Sequence, residues 1–248
     1  MKVQPSRLLE MQKGLSSLGT KVQEIVWTKR AQSWEDTPNP GLDKVVQRVV
    51  DLANESPYEQ IIDLGCGSGQ LALPLAIHAK KVIAVDIAPT MLQILENKAA
   101  KEGVTNIETL CSSLEALEIT PSTLDLAVSN YVLHHLSDQQ KQEALKKAHT
   151  WIKPGGRVII GDMMFGRGTT SEDRKIIYSK VQKLAKLGPG GWWRIAKNVV
   201  RFTLRVQEKP VSVETWRKYL TEAGFVSIVF ENVVGEGYVV TAKKQLDS

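Results

Sequence analysis

A glycine-rich turn behind a short apolar run constrains this chain more than any other feature. Residues 60–70 read QIIDLGCGSGQ, in which an apolar run ends at Asp63 and Gly65, Gly67 and Gly69 follow. Alternate glycines let the backbone turn sharply, bring bare amide groups close to a small ligand and start a helix. Glycines also serve strand-to-helix turns that bind nothing. The pattern predicts a ligand site at the end of a first strand.

A second apolar run ends in a carboxylate at a matching distance. Residues 81–86 read KVIAVD, and Asp86 stands seventeen positions after Gly69. In a doubly wound sheet an acidic residue at this place accepts hydrogen bonds from the hydroxyls of a ribose. The two strand ends together predict one nucleoside site.

Three classes of ligand use such a site, and the spacing separates them. Dinucleotide binding favours Gly-x-Gly-x-x-Gly, but position 70 is Gln70. A P-loop ends in Gly-Lys-Ser/Thr, and residues 60–79 contain no lysine. The remaining class is S-adenosylmethionine, whose methionine arm needs close backbone approach and whose ribose needs Asp86.

Over residues 60–162 the chain resembles the class I S-adenosylmethionine-dependent methyltransferases, particularly the small-molecule branch of the ubiquinone and menaquinone biosynthesis type. Five blocks carry the resemblance in family order: IIDLGCGSG, VIAVDIAPTML, IETLCSSLEAL, STLDLAVSNYVLHHL and WIKPGGRVIIGD. The resemblance implies a set of cofactor-binding residues. Asp63, Gly65 and Gly67 line the methionine side, Asp86 binds the ribose, Ile87 lies along the adenine ring and Asn130 faces the sulfonium. The other cofactor-binding residues are Cys66, Met91, Ser112, Ser113 and Leu114.

The chain departs from the family after the third strand. Family members usually carry an acidic residue there to accept from the adenine amino group, whereas this chain has Cys111, Ser112 and Ser113. We therefore expect a serine hydroxyl or a backbone group to take that role.

Composition indicates a soluble protein with one catalytic domain. The 248 residues are 42% hydrophobic and 24% charged, and no apolar stretch approaches the roughly 20 residues that span a bilayer. The N-terminus lacks the apolar segment of a signal peptide, and the only cysteines are Cys66 and Cys111, which favours a reducing cytoplasm. The four histidines have no zinc-binding spacing, so we expect no metal.

Periodicity predicts an α/β fold with a doubly wound, mostly parallel seven-stranded sheet of Rossmann-like methyltransferase type. A helix is predicted to start at Pro40, and another to follow a Ser137-x-x-Gln140 capping box and stop before Pro154. Ser212 is predicted to cap the last helix. Strands are predicted near 60–64, 81–85, 107–111, 124–128 and 157–161, followed by an antiparallel hairpin of 225–233 and 238–243.

We expect an N-terminal helical cover over residues 1–40 and a methyltransferase domain over residues 41–248. That domain includes a basic helical lid insert, residues 163–210. The insert carries eleven Lys/Arg against three acidic residues, a net +8 in a chain whose total is +5, so the remainder sums to −3. The basic charge is therefore local and does not indicate a nucleic-acid-binding surface over the whole protein.

Within the insert, the apolar residues of the 192–206 stretch recur at helical spacing, and its basic residues form a second stripe. This pattern predicts an amphipathic helix. Three interpretations stay open: a substrate lid whose charges are only solvated, a clamp for an anionic substrate, and peripheral contact with a membrane surface. In the cover, we expect Trp34 to close the cofactor pocket. Alternatively, an amphipathic helix packs Val22, Ile25 and Val26 on the domain.

Methyl transfer from a sulfonium is an in-line displacement, so the protein mainly aligns the acceptor and excludes water. A base is needed only if the acceptor loses a proton. Candidates are Tyr131, His134 and His135 after the fourth strand and Asp162 after the fifth, although each can equally be structural. Adjacent residues on one α-helix point about 100° apart, so we expect at most one histidine to face the pocket.

Missing motifs narrow the acceptor. DNA adenine and protein glutamine N-methyltransferases carry Asn/Asp-Pro-Pro-Tyr/Phe after the fourth strand, where this chain has SNYV at 129–132, so we expect no DNA substrate. Neither cysteine suits the cytosine C5 route, and Asp162 alone does not hold Mg²⁺. We expect C- or O-methylation of a small, partly apolar or anionic molecule. An RNA methyltransferase and a non-catalytic S-adenosylmethionine-binding protein remain alternatives.

Overall fold

We describe the fold from a computed structural model, which covers residues 21–29, 31, 40–54, 56–166, 174, 175, 178, 181, 182 and 208–246. The strands are β1 (Gln60–Leu64), β2 (Lys81–Asp86), β3 (Ile107–Cys111), β4 (Leu124–Asn130), β5 (Ile152–Met163), β6 (Phe225–Val234) and β7 (Gly237–Lys244). The helices with fully described bounds are α1 (Pro40–Ala53), α2 (Ala72–Ala76), α3 (Pro89–Glu102), α4 (Asp138–Trp151) and α5 (Val213–Glu222), with a 3₁₀ turn at Leu133–His135.

The seven strands form one sheet in the order β3-β2-β1-β4-β5-β7-β6. The first five strands run parallel to one another, and β7 lies antiparallel between β5 and β6. The predicted seven-stranded sheet with a C-terminal antiparallel hairpin is confirmed. The order reverses between β1 and β4, where the carboxyl ends of parallel strands leave a crevice for a ligand.

The sheet is covered on both faces. Alternate strand residues divide between two apolar clusters. One cluster contains Trp216 and Leu145 from α5 and α4, and the other contains Val45, Leu75 and Leu95 from α1, α2 and α3. Burying each such side chain is worth about 1.5–3 kcal/mol, so helices on both faces hold the strand ends in place.

The predicted caps are present. Ser137 Oγ accepts from the Gln140 amide at 3.2 Å while the Gln140 side chain accepts from the Ser137 amide at 2.7 Å. Ser212 Oγ accepts from the Thr215 amide at 3.3 Å at the start of α5. These bonds satisfy amide groups that a helix start otherwise leaves without partners.

Five strands (β2, β4, β5, β6 and β7) are longer than predicted, and β5 differs the most. β5 begins at Ile152, five residues before the predicted start, because Ile152 already pairs with Leu124 and a register shift then brings Arg157 opposite Leu126. The Pro-Gly-Gly at residues 154–156 lies within this register shift, and Gly155 has φ +80°. The helix before it ends at Trp151. β4 and β5 also extend two residues further at their carboxyl ends, so Asn130 and Asp162 lie on strands.

The predicted cover and insert are described only in part. Residues 21–29 and residue 31 are helical, and residues 163–166, a few scattered positions and residues 208–210 represent the insert. Trp34 and the amphipathic 192–206 stretch lie outside the described residues. Within the described part of the chain, every helix is too short or too polar to cross a bilayer.

Candidate cofactor and acceptor site

The Asp86 carboxylate joins the glycine turn to the start of α3. The amides of Gly65 and Cys66 donate to the Val85 carbonyl at 2.8 and 2.9 Å, which folds the turn over the end of β2. The Gly67 amide donates to Asp86 Oδ2 at 2.9 Å, and the Ala88 amide donates to Oδ1 at 2.8 Å. An ionised carboxylate can accept about four hydrogen bonds. Asp86 can therefore accept ribose hydroxyls while it holds the turn.

The three glycines have different roles. A Cβ on Gly65 would collide with Val132, and a Cβ on Gly69 would collide with Leu95, so the protein's own packing requires both. Gly67 has φ +52° and nothing within 4 Å of the place where its Cβ would stand. The half-buried backbone of Gly67 thus has open space on its Cβ side, beside Asp86, as close approach of a ligand requires.

Asp63 is a buried carboxyl at the bottom of the same turn, with 1% of its surface exposed. Burial raises its pKa to about 8, the nearby Asp86 charge adds to the increase, and the Ala72 amide at the start of α2 opposes it. Its Oδ2 has no hydrogen-bond partner among the described residues. A buried carboxyl with a free acceptor suits a cationic donor group on a ligand.

The adenine side is formed by the ends of β2 and β3. Ile87 is half-buried behind Asp86, and Met91 is buried in the first turn of α3. The Ser112 amide donates to the Asp86 carbonyl at 3.0 Å. The Ser113 hydroxyl accepts from the Ala116 amide at 3.2 Å, so it is engaged in a local turn. The Ser112 hydroxyl donates to the Ser113 carbonyl at 3.0 Å, which leaves its oxygen able to accept a further hydrogen bond.

Three other residues at this edge have clear surroundings. Leu114 is half-buried against the apolar cluster under α4 and α5. Burial raises the pKa of the Cys66 thiol well above its ordinary value, so Cys66 remains a neutral thiol. Cys111 is exposed, and partial burial together with the Glu24 and Asp86 charges also raises its pKa. Neither thiol has the lowered pKa of a catalytic nucleophile.

The N-terminal segment crosses the site. Gln23 Nε2 donates to the His135 carbonyl at 3.3 Å, and the Trp27 ring meets the His135 ring edge-on at 5.4 Å between centroids. At the other end Ala31 packs on Ala88 and Met91. The alternative in which Val22, Ile25 and Val26 pack on the domain is wrong for Val22 and Ile25, which are 56% and 54% exposed, whereas Val26 is half-buried. The packing face instead repeats every four residues, through Gln23, Trp27 and Ala31.

Beyond β4 the chain turns through a strained residue. Tyr131 has φ +53°, and its amide donates to the Gly161 carbonyl at 2.8 Å. Burial and the carboxylates of Glu236 and Asp162 raise the pKa of the Tyr131 hydroxyl. Tyr131 is therefore a hydrogen-bond donor at neutral pH, and this favours a different group as a base.

Asn130, the last residue of β4, has a buried carbonyl oxygen. This Oδ1 has no hydrogen-bond partner among the described residues. A Cβ on the neighbouring Gly161 would lie 2.5 Å from it, so glycine is needed there to make room for the amide. Asn130 thus offers an acceptor at the strand end next to β1.

His134 and Asp162 form a buried pair, 4% and 0% exposed. The His134 amide donates to Asp162 Oδ2 at 2.9 Å, and His134 Nδ1 lies 2.5 Å from Oδ1. The Asp162 carboxylate thus contacts both the ring and the backbone amide of His134. Its contact with the ring favours the tautomer with the proton on Nδ1. His135 lies 4.0 Å from His134 between ring centroids, under Trp27. The two histidines therefore have different surroundings.

The sequence does not single out Lys141, a fully buried lysine in the first turn of α4. A lysine at the start of a helix is usually a solvated surface residue. No residue near Lys141 in the sequence indicates that it is buried. Within the described ranges, no group of three or more His, Cys, Asp or Glu is arranged to hold a metal ion.

Comparisons with known proteins agree with this geometry. A family model described as a methyltransferase domain matches residues 61–156. An uncharacterized methyltransferase of Oceanobacillus iheyensis is 30% identical over 123 residues, 50% of this chain and 54% of that protein. The chain spans about half the length of the first curated relatives it matches.

Solved structures share the fold. The YcgJ protein of Bacillus subtilis superposes with a TM-score of 0.61 at 14% identity, over 82% of this chain and 99% of that one. Phosphoethanolamine N-methyltransferase 2 of Haemonchus contortus, in complex with S-adenosyl-L-methionine, superposes with a TM-score of 0.61 at 17% identity, over 81% of this chain and 52% of that one. Residues 61–156 therefore match a methyltransferase domain, and the described sheet has the fold of these solved structures.

Proposed function

We propose that this protein transfers a methyl group from S-adenosylmethionine to carbon or oxygen of a small, partly apolar or anionic molecule. One observation carries the proposal: the open backbone of Gly67 lies directly beside the Asp86 carboxylate, at the point where the strand order reverses. A nucleoside with an amino-acid arm needs both features together, since the ribose requires an acceptor and the arm requires close backbone approach.

The residues at this edge fit the cofactor. Asp86 would hold the ribose hydroxyls, Gly67 would lie against the methionine arm, and the unpartnered Oδ2 of Asp63 would face its ammonium group. Ile87 and Met91 would supply apolar surface for the adenine, with Ser112 near its amino group. The cofactor supplies an electrophilic methyl group on a sulfonium, so no metal is required for the transfer.

The remaining work of the protein is alignment and exclusion of water. Residues 21–29 and Ala31 contact both the start of α3 and the 3₁₀ turn, so they would cover the edge between cofactor and acceptor residues. On the acceptor side Tyr131 would donate a hydrogen bond. If the acceptor must lose a proton, His134 Nε2 would take it, because Nδ1 is engaged by Asp162.

Replacing His134 tests this role. We expect His134→Ala to lower turnover by about 10²- to 10⁴-fold, the usual contribution of a general base. Cofactor affinity should stay unchanged, because His134 lies outside the Asp63 and Asp86 cluster. His135→Ala should have a smaller effect, since its ring packs under Trp27. Steady-state turnover and calorimetric cofactor binding give both values. Turnover near that of the wild type in both variants would remove the histidines from the mechanism.

The acceptor class is decided by where a labelled methyl group goes. Purified protein is incubated with S-adenosylmethionine labelled in the methyl group and a fractionated cell extract, and lipid, soluble metabolite, protein and RNA pools are counted separately. We expect label in the lipid or soluble metabolite pool, and less of it with the Asp86→Ala variant when S-adenosylmethionine is limiting. Label in RNA would favour the alternative that the basic insert binds RNA. Cofactor binding with no label in any pool would indicate a non-catalytic protein.

The basic insert suggests how a partly apolar acceptor is reached. We propose that residues 192–206 bind anionic membrane surfaces, on the grounds of the amphipathic basic pattern and the Trp192-Trp193 pair. We expect co-sedimentation with liposomes that contain anionic lipid to exceed that with neutral liposomes and to fall with added salt. An Arg201→Gln/Arg205→Gln variant should lose most of the difference. Equal binding to both kinds of liposome would rule out this contact.

A further inference from the structure

The two ends of the 163–210 insert meet at the His134–Asp162 pair. At its start, Met163 directly follows Asp162, and the Met163 amide donates to Asp162 Oδ1 at 2.7 Å. At its end, the Lys209 amide donates to the His134 carbonyl at 2.6 Å. His134 is itself held by Asp162 through two hydrogen bonds. Both ends of the insert are therefore attached to the pair proposed to serve the acceptor.

A buried cation completes the second attachment. Lys141 is fully buried, and its Nζ donates to the Leu136 carbonyl at 2.7 Å and to the Lys209 carbonyl at 2.7 Å. Asp138 Oδ1 lies 3.7 Å from the same nitrogen. Burying an ammonium costs free energy unless hydrogen bonds and an opposite charge compensate it. Here the compensating groups come from the 3₁₀ turn, from α4 and from the end of the insert.

The peptide groups of Lys209 are thereby held from two directions. The Lys209 N–H is fixed by the His134 carbonyl and the Lys209 C=O by the Lys141 ammonium. Without the ammonium, the carbonyls of the half-buried Leu136 and Lys209 would lose a donor, which costs free energy wherever water does not replace it. The Lys209 segment would then be free to leave His134, whose amide would keep its bond to Asp162.

We propose that Lys141 is a positioning residue: its buried ammonium fixes the end of the insert on the turn that carries His134, and so holds the imidazole in place for the acceptor. The proposal deepens the proposed function and rests on it for the role of His134. The attachment itself can be measured without any acceptor, so the two can fail separately.

Hydrogen exchange of the Lys209 amide is the direct test. In Lys141→Met, which keeps an unbranched side chain and removes the charge, we expect exchange at least about tenfold faster than in the wild type. Lys141→Arg should stay close to the wild type because it retains a cation. The matched control is Lys147→Met on the same helix. Lys147 Nζ also donates to two backbone carbonyls, those of Glu115 and Leu117, and within the described part of the chain it makes no hydrogen bond to Lys209.

Two further measurements separate positioning from general loss of structure. Nitrogen-15 NMR of the His134 ring should show one tautomer in the wild type and in Lys147→Met, and mixed or broadened signals in Lys141→Met. Calorimetry should give the same affinity for S-adenosylmethionine in all variants. If Lys141→Met does not fold, Lys141→Gln is measured in the same way. The proposal would be overturned if Lys141→Met left the Lys209 exchange rate or the His134 tautomer unchanged. It would also be overturned if Lys141→Met weakened the binding of S-adenosylmethionine as well.

Discussion

Replacing Asp86 by alanine is expected to weaken binding of S-adenosylmethionine by about 1–3 kcal/mol, roughly 5- to 150-fold in the dissociation constant. The carboxylate is the predicted acceptor for the ribose hydroxyls, and it also holds the Gly67 and Ala88 amides at 2.9 and 2.8 Å. Its removal therefore deprives the ligand of an acceptor and releases the glycine turn. Isothermal titration calorimetry with S-adenosylmethionine and with its demethylated product measures the change.

Two control variants make this result specific. Asp86→Asn keeps the shape but only one acceptor oxygen, so its affinity should lie between those of the wild type and the alanine variant. Glu102→Ala removes an equal charge from an exposed position at the far end of α3 and should leave affinity unchanged. Unchanged affinity in Asp86→Ala would contradict the assignment of the ribose site and the proposed function with it.

Replacing Asp63 by asparagine is expected to change how stability depends on pH. The pKa of Asp63 in the ligand-free fold is raised to about 8, whereas an aspartate in an unfolded chain has a pKa of about 3.9. The stabilisation from the protonated form is therefore fully present below about pH 4. It is lost as pH rises to about 8, by at most ~1.4 kcal/mol per pH unit, because the buried carboxyl resists ionisation only in the folded state.

The measurement is the difference in unfolding free energy between variant and wild type. Asp63→Asn cannot ionise, so its advantage over the wild type should grow from about pH 4 to about pH 8 and level off above. Asp51→Asn, an exposed position on α1, should show no such trend. A difference that is flat across this range would show that Asp63 is already ionised in the ligand-free protein.

The same carboxyl links protons to cofactor binding. A cationic group that binds Asp63 favours its ionised form, so binding near pH 7 should release a proton from the wild type. Calorimetry in buffers of different ionisation enthalpy detects that proton. Asp63→Asn should bind more weakly and release none, because its amide has no proton to give up at this pH. An equal release from both proteins would place the proton on another group.

The cofactor side of the site could be predicted from local sequence. The turn with Gly65, Gly67 and Gly69 requires positive φ angles that only glycine adopts readily, and all three have them. Asp86 follows from the length of the first βαβ unit, since parallel strands bring their carboxyl ends to one edge. Caps at Ser137 and Ser212 depend on neighbours three residues away. In each case the chemistry is contained in a short stretch of chain.

Long-range contacts decided the acceptor side. The His134–Asp162 pair joins residues 28 positions apart, and the Lys141–Lys209 contact joins residues 68 apart. The early start of β5 depends on the pairing of Ile152 with Leu124. This pairing outweighs the preference of Pro-Gly-Gly for a turn, on which the predicted start was based. The exposure of Val22 and Ile25 was missed because helical periodicity shows which residues share a face but not which face meets the domain.

The sequence by itself determined the sheet, its order of alternating elements and the residues proposed for the nucleoside site, because backbone preferences and short-range spacing act within a few residues. Only the tertiary structure decided which polar groups are buried together, and thus that Asp63 has a pKa of about 8, that Tyr131 stays protonated and that Lys141 is a buried cation. The physical reason is that desolvation and charge interactions depend on distance in space, which residues distant in sequence determine once the chain has folded.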